Sequence, residues 1–331
     1  MQAISYERAR DVSAAVSAGQ QAGVAFIGGG TNLLDLMKGG AASPRMLVDI
    51  NHIDALKNIT ALPDGGIRIG ALVRNSDAAN HAWVRERYPL LSEAILAGAS
   101  AQLRNMATMG GNVMQRTRCY YFYDIGFTHC NKRVPGSGCA AIEGNNRIHA
   151  ILGASPQCIA TNPSDMNVAL AALDATIQVV GPQGTRAIAI EDFHRLPGDH
   201  PEIDTTLRPG ELITSVDLPA PLFAQYAHYL KIRDRASYAF ALVSVAVGLQ
   251  MQGGVMSDAR IALGGVAHKP WRARASEALL NGKSLSKDNV HAAAALAVQD
   301  AKSYSGNGFK VLLAQRAIVR AIGTAAQGGV V

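Results

Sequence analysis

The feature that most constrains this chain is a stretch of about fifty residues, Arg116 to Asp165, holding all four cysteines: Cys119, Cys130, Cys139 and Cys158. Between Cys130 and Cys139 it reads Asn-Lys-Arg-Val-Pro-Gly-Ser-Gly, a basic, proline-kinked run unsuited to a helix or a central strand. So long a segment with so little periodicity needs something other than a core of its own to order it, and long loops are usually functional or disordered. Four thiolates closing on one metal centre supply that order. The gaps of ten, eight and eighteen residues match neither the Cys-x2-Cys pairs of a zinc ribbon nor the tight run of a bacterial ferredoxin. Soft thiolates narrow the choice to zinc or an iron–sulfur cluster, and spacing alone leaves both open. A disulfide scaffold is excluded, because four cysteines in 331 residues are too few and a chain of this size needs none.

Two short polar-and-glycine motifs flank this stretch. Thr108-Met109-Gly110-Gly111-Asn112 precedes it, and Pro163-Ser164-Asp165-Met166 closes it. A third lies near the start, where the apolar strand Val24-Ala25-Phe26-Ile27 runs into Gly28-Gly29-Gly30-Thr31-Asn32-Leu33. Glycines there let the backbone approach a ligand closely, and successive N–H groups suit a pyrophosphate. A ligand-free tight turn is the plainer alternative. A P-loop is excluded because Asn32-Leu33 stands where Lys-Ser/Thr is required. A Rossmann fingerprint lacks its third glycine, at Leu33, although Asp49 closes the next strand at about the right distance.

Length predicts two domains. The composition, 48% hydrophobic and 17% charged, fits a globular protein able to bury a core. Net charge is +6, but the basic residues are scattered and mark no nucleic-acid surface. The N-terminal residues lack the apolar region of a signal peptide, and the run Ala241–Leu249 is too short to span a bilayer. Helices are expected at 11–21, 33–37, from a Ser76-Asp77 cap, at 89–97, and at 166–172 with Ser164 and Asp165 as caps. Strands are expected at 46–50 and 66–72, with a hairpin over 176–190. Five prolines among acidic residues make 196–222 a wrapping connector with a boundary near Pro221. Strands at 227–233, 240–252 and 258–264, then helices at 271–280, 287–302 and 308–325, describe a smaller α+β domain with an antiparallel sheet.

Taken together, the motifs resemble the FAD-binding subunits of the molybdenum hydroxylases, the xanthine dehydrogenase family. Phe26 to Leu34, Ala107 to Asn112, Ser164-Asp165 and the later Tyr229-Leu230-Lys231-Ile232-Arg233 carry the resemblance, in that order. Within the family the cysteine insert, about 116–160, is similar to that of the flavin subunits of bacterial periplasmic aldehyde oxidoreductases. The resemblance implies an α+β fold: a two-part FAD-binding domain of the vanillyl-alcohol-oxidase/molybdenum-hydroxylase type over 1–221, then a C-terminal flavoprotein domain over 222–331. It implies that Phe26, Ile27, Gly28, Gly29, Gly30, Thr31, Asn32 and Leu33, with Thr108, Gly111 and Asn112, hold the FAD diphosphate and ribityl chain. Asp165 is then expected on the sugar-like region and Lys231 near the isoalloxazine. Cys119, Cys130, Cys139 and Cys158 become ligands of a [4Fe–4S] cluster, its charge offset by Lys132, Arg133 and Arg147. The implied assembly is a heterotrimer with a large molybdenum-cofactor subunit, a small [2Fe–2S] subunit and an external electron acceptor, oxidising aldehydes to acids. It is periplasmic by co-export with a signal-bearing partner, or cytoplasmic. The flavin subunit of another molybdenum hydroxylase, of the xanthine dehydrogenase or aryl-CoA reductase type, a Rossmann-type NAD dehydrogenase and a zinc-stabilised scaffold subunit remain as alternatives. Asp234 to Tyr238 departs from the family's usual Arg-Arg-x-Asp and puts NAD as acceptor in doubt; Tyr238 is a candidate cover over the flavin.

Overall fold

Short runs of apolar and β-branched residues build three sheets in the computed structural model, which describes residues 3–328. The first is parallel, with Met46–Asp49 between Ser5–Arg8 and Val24–Ile27. Helix Val12–Gly19 covers it, capped by Asp11, whose carboxylate accepts from the Ala14 amide at 2.8 Å. Ala15, Val16 and Ala18 bury the contact against Val48 and Ile50.

The second sheet is antiparallel, in the order Ile59–Ala61, Ile67–Gly70, Leu212–Leu218, Thr176–Gly181, Gly184–Ala189. Its last two strands are the expected hairpin. Its middle strand corrects the sequence reading, because Leu212–Leu218 falls inside the expected connector. Every residue of it but Thr214 is buried. Pro209 and Pro219 bracket this strand rather than interrupt it, so the proline density that signalled a connector marks only its two ends.

Helix Pro89–Ala97 starts on its proline, as expected. Asn75–Asn80 begins ahead of the expected cap, with Arg74 in the cap position and Ser76 inside the helix. Helix Asp165–Ala172 is buried at every residue, and its Ser164 cap accepts from the Asn167 amide at 3.0 Å. Asp165 does not cap.

The third sheet is also antiparallel: Trp271–Arg272, Val255–Gly264, Val243–Gln252 and Ala227–Ile232, with Lys283–Ser284 added beside Val255–Gly264. Trp271 and Arg272, expected as helix, extend the sheet instead. Helices Arg274–Leu280, Lys287–Leu296 and Phe309–Ala326 cover one face of it. The last presents Ala314, Ala317, Ile318, Ala321, Ile322 and Ala325 at helical spacing to that core. Among the described residues no helix is long and apolar enough to cross a membrane. The sequence tapers into Gly328-Gly329-Val330-Val331, of which all but Gly328 lies outside the described residues.

The insert is better ordered by the protein than its sequence implies. Leu36, Tyr121, Phe122, Ala141, Ile159 and Ala160 pack around the cysteines, while Ile151 and Leu152 join the core of the C-terminal domain. Lys310, fully buried on the last helix, donates to the carbonyls of His149 (2.7 Å), Ile148 and Gly265. Burial pushes its ammonium down to about 7.

Candidate cofactor cleft and cysteine insert

Strand Val24–Ile27 delivers the first glycine loop to the edge of a cleft of about 590 Å³, within the size range of small-molecule and cofactor sites. Gly30 sits at φ +70°, the left-handed region. Gly29 shows why the two glycine motifs belong together: a Cβ there would lie 1.8 Å from the Met106 carbonyl oxygen, just ahead of the second loop. Asn51 fixes the first loop, donating through Nδ2 to Gly28 O (3.0 Å) and to Asp49 Oδ1 (2.8 Å). Asp49 also accepts from the Tyr6 hydroxyl. The acid at the strand end thus orients Asn51 rather than waiting for a ribose. The second loop is anchored by Met109 N to Val73 O and Gly110 N to Ala71 O, both 2.9 Å, and by Thr108 Oγ1, which accepts from Gly111 N at 3.3 Å.

Among the described residues the backbone amides of Gly29, Gly30, Thr31 and Asn32 donate to no group of the chain. Unpaired N–H groups are costly unless solvent or a ligand takes them, and a row of them suits a diphosphate. Phe26 through Leu33, Thr108, Gly110 and Gly111 all line the cleft. The donor set and the missing Cβ atoms therefore fit FAD.

The opposite wall escaped the sequence reading. It comes from the connector, as Glu202, Ile203, Asp204, Thr205 and Arg208, with His194 and His268 behind. Burial alone would raise the Asp204 carboxyl, but Lys132 and Arg116 outweigh it and hold the group down at about 2. Burial lowers His194 and His268 to about 4, so both are neutral imidazoles near pH 7. His194 Nε2 lies 2.9 Å from Val113 O, and His268 Nδ1 donates to Arg195 O at 2.8 Å. No local pattern marks these residues, which only the folding of the connector brings to the cleft.

Three expected contacts lie elsewhere. Asn112 Oδ1 accepts from Ser164 Oγ at 2.8 Å and does not line the cleft. Asp165 and Lys231 are engaged with each other at 2.7 Å, with Tyr229 Oη donating to Asp165 (2.7 Å) and Lys231 Nζ to Ala97 O (3.0 Å). Neither is among the cleft-lining residues, because a lysine side chain only 4% exposed takes the nearest counter-charge. Tyr238 is exposed, at φ +50°, beside Arg235, and does not line the cleft.

The four cysteines, all free thiols, line one small cavity. Cys130 and Cys139 face each other across an isolated antiparallel bridge. Burial pushes the Cys119 and Cys158 thiols up to about 12 and about 11, so a metal bound there would have to displace their protons. Among the described residues no three His, Cys, Asp or Glu side chains stand as a ready-made metal cage. In the run between Cys130 and Cys139, Ser137 N donates to Val134 O and Gly138 N to Asn131 Oδ1, so neither amide is directed at sulfur. Ala160 N approaches Cys158 Sγ at 3.5 Å instead, and His149 Nε2 lies 3.1 Å from Cys119 Sγ. Arg133 reaches the carbonyls of Tyr121, Phe122 and Asp124, and Arg147 pairs with Asp234, so of the expected basic set only Lys132 lines the cysteine cavity.

Two converging glycine loops, a mixed first domain and a smaller antiparallel-sheet domain define a flavoprotein of the molybdopterin dehydrogenases. The FAD binding domain in molybdopterin dehydrogenase matches residues 2–221, and the CO dehydrogenase flavoprotein C-terminal domain matches residues 228–325. The chain belongs to the FAD-binding subunits of the molybdenum hydroxylase family. It is 51% identical to the aldehyde oxidoreductase FAD-binding subunit PaoB of Escherichia coli strain K12, over 98% of this chain and 99% of that protein. It is 31% identical to the glyceraldehyde dehydrogenase medium chain of Sulfolobus acidocaldarius, over 80% of this chain and 75% of that protein. The structure of reconstituted CO dehydrogenase from Oligotropha carboxidovorans superposes with a TM-score of 0.78 at 25% identity, covering 99% of each chain.

Proposed function

We propose that this chain is the FAD-binding, electron-transferring subunit of a heterotrimeric aldehyde oxidoreductase. The contact of Gly29 with Met106 O carries the reading, because it joins the two glycine loops into one wall whose free amides face the cleft. The amides of Gly29 to Asn32 would take the diphosphate, and Thr108 and Gly111 the adjoining chain. Bound FAD would collect an electron pair and yield it to an external acceptor. The remaining subunits are a large one with the molybdenum cofactor and a small one with [2Fe–2S] clusters. The aldehyde as substrate is supported by the 51% identity to the aldehyde oxidoreductase subunit.

Cys119, Cys130, Cys139 and Cys158 are the ligands we assign to a [4Fe–4S] cluster, supported by their shared cavity and by the absence of carboxylates from its lining. The assembly is placed in the periplasm, exported folded on the signal of a partner subunit; cell fractionation that left it in the cytoplasm would remove this point alone. The purified subunit is expected to be yellow-brown, with about one FAD and about four irons. Cys139→Ser should lose the iron and keep the flavin. One zinc and no iron refutes the cluster, whereas a colourless protein that binds no added FAD refutes the whole reading.

A further inference from the structure

Lys132 stands inside the cysteine insert, two residues after Cys130, and lines the cysteine cavity, yet its ammonium is bonded outside the insert. It is 1% exposed, and its Nζ donates to Pro201 O at 2.6 Å and pairs with the Asp204 carboxylate. Asp204 lines the cleft. Its second oxygen accepts from Arg116 Nε at 2.6 Å, and His268 Nε2 lies 3.8 Å from the first. Arg116 continues the connection, because its backbone amide donates to the Asn32 side chain at 3.0 Å on the first glycine loop. Tyr123, also in the insert, meets Asn32 Nδ2 through its hydroxyl at 3.3 Å. The insert therefore grips both walls of the cleft, the glycine loop through Arg116 and Tyr123 and the connector through Lys132.

We propose that Lys132 is a positioning residue for FAD binding: its ion pair with Asp204 and its bond to Pro201 hold the connector wall at the distance the cofactor needs. The inference rests on the reading of the cleft as the FAD site. Between Leu196 and Glu211 the connector lies in no helix and no named strand; Arg195 N to Asp204 O (3.0 Å), Thr206 N to Phe193 O (2.9 Å) and Ser155 Oγ to Gly198 O (2.7 Å) hold it on either side, and Lys132 supplies the tie at Pro201. Removing Lys132 frees Pro201 and leaves a largely buried carboxylate with Arg116 as its main counter-charge. Such a site is expensive to retain, so the segment would shift toward solvent.

The test measures the FAD dissociation constant of the flavin-stripped subunit by fluorescence quenching in wild type, Lys132→Met, Asp204→Asn and the double variant, with iron content determined in parallel. Lys132→Met should weaken FAD binding about tenfold or more, equivalent to about 1.4 kcal/mol, and Asp204→Asn, which lies outside the cysteine cavity, should weaken it with metal content unchanged. The double variant should bind no worse than the weaker single one, since both substitutions break one connection. Unchanged affinity in Lys132→Met, or losses that simply add, overturns the proposal. If Lys132→Met does not fold, Asp204→Asn decides: affinity equal to wild type overturns it, and a comparable loss supports it. Loss of metal together with FAD in Lys132→Met also overturns it, because Lys132 would then act inside the cysteine cavity. A wild-type subunit that binds no FAD defeats the functional reading itself and is a separate result.

Discussion

Two glycines of the cleft invite opposite expectations. At Gly29 the space for a Cβ is filled by a carbonyl oxygen 1.8 Å away, whereas at Gly111, exposed in the cleft, the nearest atom is Thr108 Oγ1 at 3.0 Å. Gly29→Ala must push the two loops apart, costing on the order of 1–3 kcal/mol, and should lower both the melting temperature and FAD occupancy. Gly111→Ala lies in a short helix where alanine is the better former, so stability should stay within about 1 kcal/mol of wild type. Its methyl group projects where the cofactor chain is expected, and FAD occupancy should still fall. Calorimetry together with flavin release by acid would check both; a Gly111→Ala protein that keeps its FAD places the ligand farther from this loop. The sequence already marked both positions as glycines near a ligand. What distinguishes them is a carbonyl delivered from residue 106, which no local pattern carries.

Helix Asp165–Ala172 packs against the C-terminal sheet, and its first residue makes a buried charged contact with it. Asp165 is paired with Lys231 on strand Ala227–Ile232, the two side chains being 7% and 4% exposed. Removing one member of a buried pair strands the other, at a typical cost of about 3–5 kcal/mol. Lys231→Met should therefore lower the urea midpoint markedly, while Asp165→Asn combined with Lys231→Met recovers part of the loss. A change below about 1 kcal/mol in the single variant would show that the carboxylate finds water. Here the sequence was informative in a different sense from the one expected. It singled out both residues through a family motif, but motif spacing does not reveal that two ionisable groups sixty-six positions apart neutralise each other. Elements with clear periodicity, such as Pro89–Ala97 and Phe309–Ala326, were legible to within a residue or two. The strand Leu212–Leu218 was hidden by its flanking prolines, and the cleft wall before it has no periodicity to read.

The ionisable groups of the cleft wall should make the stability of the whole molecule fall with acid in two stages. His194 and His268 are held near 4 in the folded chain against 6.5 in the unfolded one, so the unfolded state binds more protons between those values. The contribution of the two histidines is complete above about pH 6.5 and declines as pH drops toward 4, by on the order of 2–3 kcal/mol for each. Asp204 acts lower, since its folded value near 2 lies below the ordinary 3.8, and its contribution disappears as pH falls from about 4 to 2. Urea denaturation of the isolated subunit at steps from pH 7.5 to 4 checks the first stage. A flat profile over that range would mean that the two imidazoles reach solvent in the folded protein.

The ties that Lys310 makes to His149 and Ile148 span about 160 positions of the chain, as do those of Asn307 to the carbonyls of His149 and Ala150. During synthesis the cysteines emerge from the ribosome long before the helix that clasps the end of their loop. The clasp on the end of the loop therefore closes only when nearly the whole polypeptide has been made. For the proposed cluster, completion of its surroundings would in that sense be a late event of biogenesis, with an interval in which oxidants compete with metal for the same four sulfurs.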